Sequence, residues 1–163
     1  MSSVNNSRAR AVADLTEGSV VAIVEVAAAP ERVFRALASK EITRWWIRPG
    51  VFDTREWDGD VHPGGRWRAS GLTRGEPYAQ AGEFLEVESP RRLVHTWDGA
   101  GKPGVASTVT YLLEPIDGRT RITLRHVGFA SGERCSAFAL GWETSFERLA
   151  ELLAPEFSLH HHQ

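Results

Sequence analysis

Between Arg119 and Val127 the chain alternates without a break. Thr120, Ile122, Leu124 and His126 share one face, and Arg119, Arg121, Thr123 and Arg125 share the other. A period of two this regular belongs to a strand with one solvated face and one covered face. The covering element comes next. From Glu133 to Leu153 the residues Phe138, Ala139, Trp142, Phe146, Leu149, Ala150 and Leu153 recur at helical spacing. Ser131 suits the N-cap of that helix, and Pro155 ends it. Such a helix is about 30 Å long, enough to cross a modest sheet.

The same patterns organise the rest of the chain. Ser19 to Val26 (SVVAIVEV) is short and β-branched, hence a strand. Pro30 opens a helix carrying Val33, Phe34 and Leu37, and Ile42, Trp45 and Trp46 mark a second short one, stopped by Pro49-Gly50. Strands follow at Val51–Asp58, Arg66–Ser70, Ala79–Glu88, Arg92–Asp98 and Val105–Glu114. Between them lie the turns His62-Pro63-Gly64-Gly65, Ser89-Pro90-Arg91 and Ile116-Asp117-Gly118, and a Gly/Pro-rich loop after Asp98. Short turns between consecutive strands imply an antiparallel meander, because parallel neighbours would need crossover helices. The predicted fold is α+β: a curved antiparallel sheet of about seven strands wrapped around a long C-terminal helix, with two short helices after the first strand. Residues 1–16 are polar and aperiodic and read as a disordered tail, 17–155 as one domain and 156–163 as a C-terminal tail.

Bulk properties narrow the function. The 163 residues carry a net charge of -2 with a pI near 6.3, which offers nucleic acid or an anionic membrane no electrostatic attraction. No apolar run reaches the length of a membrane span, and the N-terminus lacks the apolar stretch of a secretory signal, so the expected location is the cytoplasm. Cys135 is the single cysteine; it sits in the first turn of the long helix and reads as core-facing. Only Lys40 and Lys102 are lysines among 19 basic residues, a bias that suggests a GC-rich bacterial genome. Six tryptophans are many for this length, and each must fill a core or line a binding surface.

Five segments carry a resemblance: APERVFRALASKEITRWW after the first strand, then PGGRWR, GEFLEVESPRRLVHTW, TRITLRHVGF and GWETSFERLAELL. In this order and spacing they resemble the START-like (SRPBCC) superfamily, in particular the branch named for the activator of the heat-shock protein 90 ATPase. The resemblance covers about residues 20 to 153. It implies a helix-grip fold with a cavity between the sheet and the C-terminal helix. It leaves activity open, since relatives include binders, transporters and cyclases. One position departs from the pattern: His95, inside LVHTW, stands where the family usually has an aromatic residue.

Alternation turns Leu93, His95 and Trp97 toward the helix, so His95 and His126 both look inward from separate strands. They could orient a ligand, exchange protons with a substrate, or be core histidines satisfied by their neighbours. The candidate ligand-binding set is Trp67, His95, Trp97, His126, Phe138, Trp142 and Phe146. Glu25, Glu83 and Glu143 read as sheet-edge or helix-surface carboxylates. No HExxH spacing occurs, His62 sits in a turn, and the terminal His160, His161 and His162 are set aside, so no metal and no cofactor are expected. The first functional expectation is a binder of a hydrophobic small molecule. A START-like cyclase or hydrolase using His95 or His126 is the alternative, and a chaperone-interacting regulator a third. Ile42, Trp45, Trp46 and Ile47 form an apolar patch that would serve either a homodimer contact or a cavity lid.

Overall fold

The computed structural model describes residues 9–98, 106–129 and 132–155. In chain order the elements are β1 (Arg10–Asp14), β2 (Ser19–Val26), α1 (Pro30–Leu37), α2 (Ile42–Trp45), β3 (Ile47–Arg48), β4 (Phe52–Gly59) and β5 (Arg66–Thr73). They continue with β6 (Glu76–Glu88), β7 (Arg92–Asp98), β8 (Ala106–Ile116), β9 (Arg119–Val127) and α3 (Gly132–Leu152). The reading of Ser131 as N-cap, the loop after Asp98 and the outer parts of both chain ends lie outside the described residues.

All strands pair antiparallel in one sheet ordered β1-β2-β9-β8-β7-β6-β5-β4-β3. From β3 to β9 it is the expected meander. β2 joins at β9, and α1 and α2 carry the chain from there to the opposite edge. Helix α3 packs on β1, β2, β3 and α2, so the sheet curls around it as a helix grip. Two register shifts, at Thr54/Glu56 in β4 and Phe84/Glu86 in β6, place extra residues in those strands and sharpen the local twist. Arg55 and Leu85 are the extra residues, and both turn outward.

The sheet has nine strands against the seven or so expected. One addition, β1, falls inside the stretch whose polarity suggests a disordered tail. Its inward residues are the small Ala11 and Ala13, while Val12 on the other face is exposed, so no strong apolar alternation marks it. The other, β3, is two residues long and carries no readable period. The alternation in β9 is the expected one: Thr120, Ile122, Leu124 and His126 are all buried, Thr120 on the Ala28 carbonyl before α1 and His126 against Trp142 of α3.

Two hairpins turn through paired left-handed residues. In β8–β9 these are Asp117 (φ 48°) and Gly118 (φ 78°); in β5–β6 they are Arg74 (φ 51°) and Gly75 (φ 84°). Two-residue loops with positive φ at both positions match the right-handed twist of the flanking strands. Asp-Gly is an ordinary choice there. Arg-Gly is not.

Candidate functional site

The inner face holds a continuous aromatic cluster. Trp46, just after α2, stacks on Trp97 of β7 with ring centroids 5.0 Å apart. The same Trp46 meets Trp67 of β5 edge-on at 5.7 Å and Trp142 of α3 at 6.4 Å. Elements distant in sequence are thus brought together because alternation and helical spacing each turn one tryptophan inward.

Their polar edges are handled separately. The indole N–H of Trp45 donates to the Ala36 carbonyl at 2.9 Å, and that of Trp67 donates to the Thr96 carbonyl at 3.1 Å. The Trp142 N–H donates to Nδ1 of His126 at 3.1 Å. The Trp46 N–H and the Tyr111 hydroxyl are buried without a partner among the described residues.

The protein supplies partners to both ring nitrogens of His126 and to Nδ1 of His95. An indole N–H can only donate, so Nδ1 of His126 is an acceptor and its proton sits on Nε2. Nε2–H then donates to Ser107 Oγ at 2.7 Å, and the Ser107 hydroxyl donates to the Trp97 carbonyl at 3.2 Å. This directed chain leaves His126 no free lone pair with which to take a proton from Ser107. Desolvation, then the charges of His95 and Arg134, push the His126 pKa down to about 3. His95 donates from Nδ1 to the Thr96 carbonyl at 2.9 Å and is ringed by Trp67, Phe84, Trp97 and Tyr111. Its burial lowers its pKa to about 4. Both rings are neutral at physiological pH.

Beside this cluster a cavity of about 460 Å³ opens between α3 and the β3–β6 end of the sheet. Of the residues picked out from sequence, Trp97, Phe138 and Trp142 line it. Trp67, His95, His126 and Phe146 are buried in the adjoining core and are not part of its wall. The sequence pattern misses Trp46, Phe52 and Leu140 among the apolar lining, and Arg48, Thr54, Arg74, Tyr78, Gln80 and Ser145 among the polar lining. Trp46 carries the one available signal, since it belongs to the apolar patch that suits a dimer contact or a lid. The Tyr78 hydroxyl is hydrogen-bonded to Thr54 Oγ1, and burial pushes its pKa up.

Other candidates lie elsewhere. Glu25 is paired with Arg121 at 3.1 Å, and neither Glu25, Glu83 nor Glu143 lines the cavity. Cys135 is buried, with its thiol on the Ser19 carbonyl at 3.2 Å. His62 is an exposed turn residue bonded to the Pro63 carbonyl and to Asp60, both of which raise its pKa. Among the described residues no three His, Cys, Asp or Glu side chains gather as a metal site, and no helix is long and apolar enough to cross a membrane.

Sheet, helix and cavity define the class: an α+β helix-grip protein of the START-like kind. A sequence model of the family described as Activator of Hsp90 ATPase homolog 1-like protein matches residues 27–154, and the chain belongs to that family. Among solved structures it is similar to protein CV1439 from Chromobacterium violaceum, with a TM-score of 0.73 and 27% identity over 85% of this chain and 99% of that one. Protein Ms6760 from Mycobacterium smegmatis superposes with a TM-score of 0.71 at 24% identity, covering 88% of this chain and 95% of the other. CalU16 from Micromonospora echinospora has a TM-score of 0.64 at 24% identity, covering 94% and 89%. The latter two likenesses concern the fold alone. A search of curated proteins found no match.

Proposed function

We propose that this protein binds a hydrophobic small molecule in the cavity between α3 and the β3–β6 end of the sheet. The observation that carries the reading is the convergence of Trp46, Trp97, Phe138 and Trp142 on one 460 Å³ space. That volume lies within the usual range of about 300–1,000 Å³ for small-molecule pockets, and an apolar wall with a few polar groups is their usual make-up. Family membership supports it, because START-like folds commonly hold hydrophobic ligands. His126 supports it too, in a different way. A proton-transfer role would require an available acceptor nitrogen, and the Trp142–His126–Ser107 chain uses both nitrogens of His126 internally.

Titration with the neutral dye N-phenyl-1-naphthylamine tests the reading. Binding should raise dye fluorescence and quench tryptophan emission with a single saturating stoichiometry, and Phe138→Asp should weaken it at least tenfold. Dye uptake that is absent, or that Phe138→Asp leaves unchanged, would count against this cavity. Native mass spectrometry beside denatured mass spectrometry would then ask whether a molecule co-purifies.

A further inference from the structure

The polar groups of the cavity are unevenly distributed. Its apolar wall is made by Trp46, Trp97, Phe138 and Trp142, while Arg48 of β3 and Arg74 of the β5–β6 turn also line it. Among the described residues no Asp or Glu does. Arg48 and Arg74 have no ion-pair partner among the described residues. Asp53, on the neighbouring strand, is held by Arg55 through contacts of 3.0 Å from both Nε and Nη2. The cavity wall therefore includes two arginines whose charge no carboxylate in that described wall balances.

The backbone adds an independent observation. The β5–β6 turn places Arg74 at a φ of 51°, where a two-residue hairpin ordinarily uses Asn, Asp or Gly, and where the β8–β9 hairpin uses Asp117. An arginine in that conformation carries a conformational cost, tolerated here at a position that borders the cavity. Arg48 reaches the same cavity across the β3–β4–β5 row, in which it pairs with Phe52 and Phe52 with Thr73. Tyr78 and Gln80 contribute neutral polar groups beside them.

We infer that the ligand is an amphiphile with a single carboxylate, whose head lies against Arg48 and Arg74 and whose apolar body lies along the Trp46–Trp97–Trp142 wall. This rests on the proposed binding function and specifies its ligand class. A guanidinium presents a planar fork of donors that matches a carboxylate in pairs, and such charge-assisted bonds are stronger than neutral ones. A neutral hydrophobic ligand of the same length would leave both guanidinium groups unused.

Competition for the bound naphthylamine dye by dodecanoate and by dodecanol, at pH 7.5 and low salt, tests the inference. Dodecanoate should displace the dye at a concentration about tenfold lower than dodecanol from the unmodified protein. In Arg74→Gln, an exposed position with no side-chain ion pair to lose among the described residues, this preference should shrink. In Arg48→Gln/Arg74→Gln it should vanish, dodecanoate and dodecanol then displacing the dye at the same concentration. Raising the salt should likewise erode the preference. If dodecanol competes as well as dodecanoate, the inference fails and the hydrophobic-binding function stands. A preference that survives in the double variant would also overturn it, by placing the anion elsewhere. If the dye binds and neither amphiphile displaces it, the carboxylate class is wrong. If the dye itself does not bind, the binding function falls and takes the inference with it.

Discussion

The indole N–H of Trp142 points at Nδ1 of His126 across 3.1 Å, joining the long helix to the last strand of the sheet by one buried hydrogen bond. That contact fixes which nitrogen of the imidazole holds the proton. It also continues through Ser107 to the backbone of β7, so one chain of donors ties α3, β9, β8 and β7 together. A histidine facing an apolar core commonly suggests catalysis. In this fold its position is explained by the tryptophan above it and the serine beside it.

The first prediction concerns this chain of donors. Nitrogen NMR of the imidazole should find His126 protonated at Nε2 and unprotonated at Nδ1 at neutral pH. Trp142→Phe removes the donor to Nδ1, shrinks a buried ring and leaves a buried acceptor unpaired, so it should cost about 2–4 kcal/mol. Urea unfolding measures the cost. An Nδ1-protonated ring, or a Trp142→Phe protein as stable as its parent, would contradict a hydrogen bond running from Trp142 to His126.

Both buried histidines make stability depend on pH. Unfolded, each ring takes up a proton as pH falls through its ordinary value of 6.5; folded, His95 does so only near 4 and His126 near 3. Between those limits the unfolded chain binds more protons, so the contribution is fully present above about pH 6.5 and is lost as pH drops. The slope approaches about 1.4 kcal/mol per pH unit for each ring. His95→Phe removes one ring and leaves the Thr96 carbonyl still bonded to Trp67. Its loss of stability between pH 7 and pH 5 should be smaller than the parent's by about 1–2 kcal/mol. Equal losses in urea titrations at the two pH values would mean that His95 is protonated in the folded state.

The strands and the long helix are legible in the sequence because their side chains face one environment each. β9 alternates cleanly since β2 and β8 flank it and one of its faces is buried, with His126 against Trp142 of α3, and α3 shows its stripe for the same reason. β1 is hidden by its alanines, which bury little area and leave a faint period. The inward direction of His95 and His126 follows from alternation. Their partners do not, because Ser107 and Trp142 meet His126 only after three elements have packed. The cavity is legible in part: Trp97, Phe138 and Trp142 sit on periodic elements. Arg48 and Arg74 sit in a two-residue strand and a turn, where no period exists. Their approach depends on how tightly the sheet curls, which the bulges at Thr54 and Phe84 influence and local sequence does not announce.

Gly82 makes room for the tryptophan-lined face. It pairs with Trp67 across β5 and β6, and a Cβ there would run into both the Thr96 carbonyl oxygen and the Trp67 indole nitrogen. Those two atoms form a hydrogen bond of 3.1 Å. Gly82→Ala must push β7 away or turn Trp67 aside, and neither is flexible. The expected cost is about 3 kcal/mol, at the upper end for overpacked cores, with a red shift of tryptophan emission as Trp67 loses its partner. An unchanged thermal midpoint together with unchanged emission would show that the face is looser than these contacts require.

Gly141 offers the opposite test, because stability and binding should move apart. It lies inside α3 on the cavity wall, where a Cβ would sit 3.4 Å from Cε1 of Phe52 and 3.7 Å from its Cζ. An alanine therefore fits in ordinary contact. Replacing glycine within a helix removes backbone freedom from the unfolded chain and should stabilise the protein by about 0.5–1 kcal/mol. The same methyl group narrows the space between α3 and β4. Gly141→Ala should accordingly unfold at higher urea while binding N-phenyl-1-naphthylamine more weakly, and the bulkier Gly141→Leu should abolish binding if it folds. A glycine kept only for tolerance would give higher stability with undiminished dye affinity, and the ligand would then have to lie away from the Phe52–Gly141 side of the cavity.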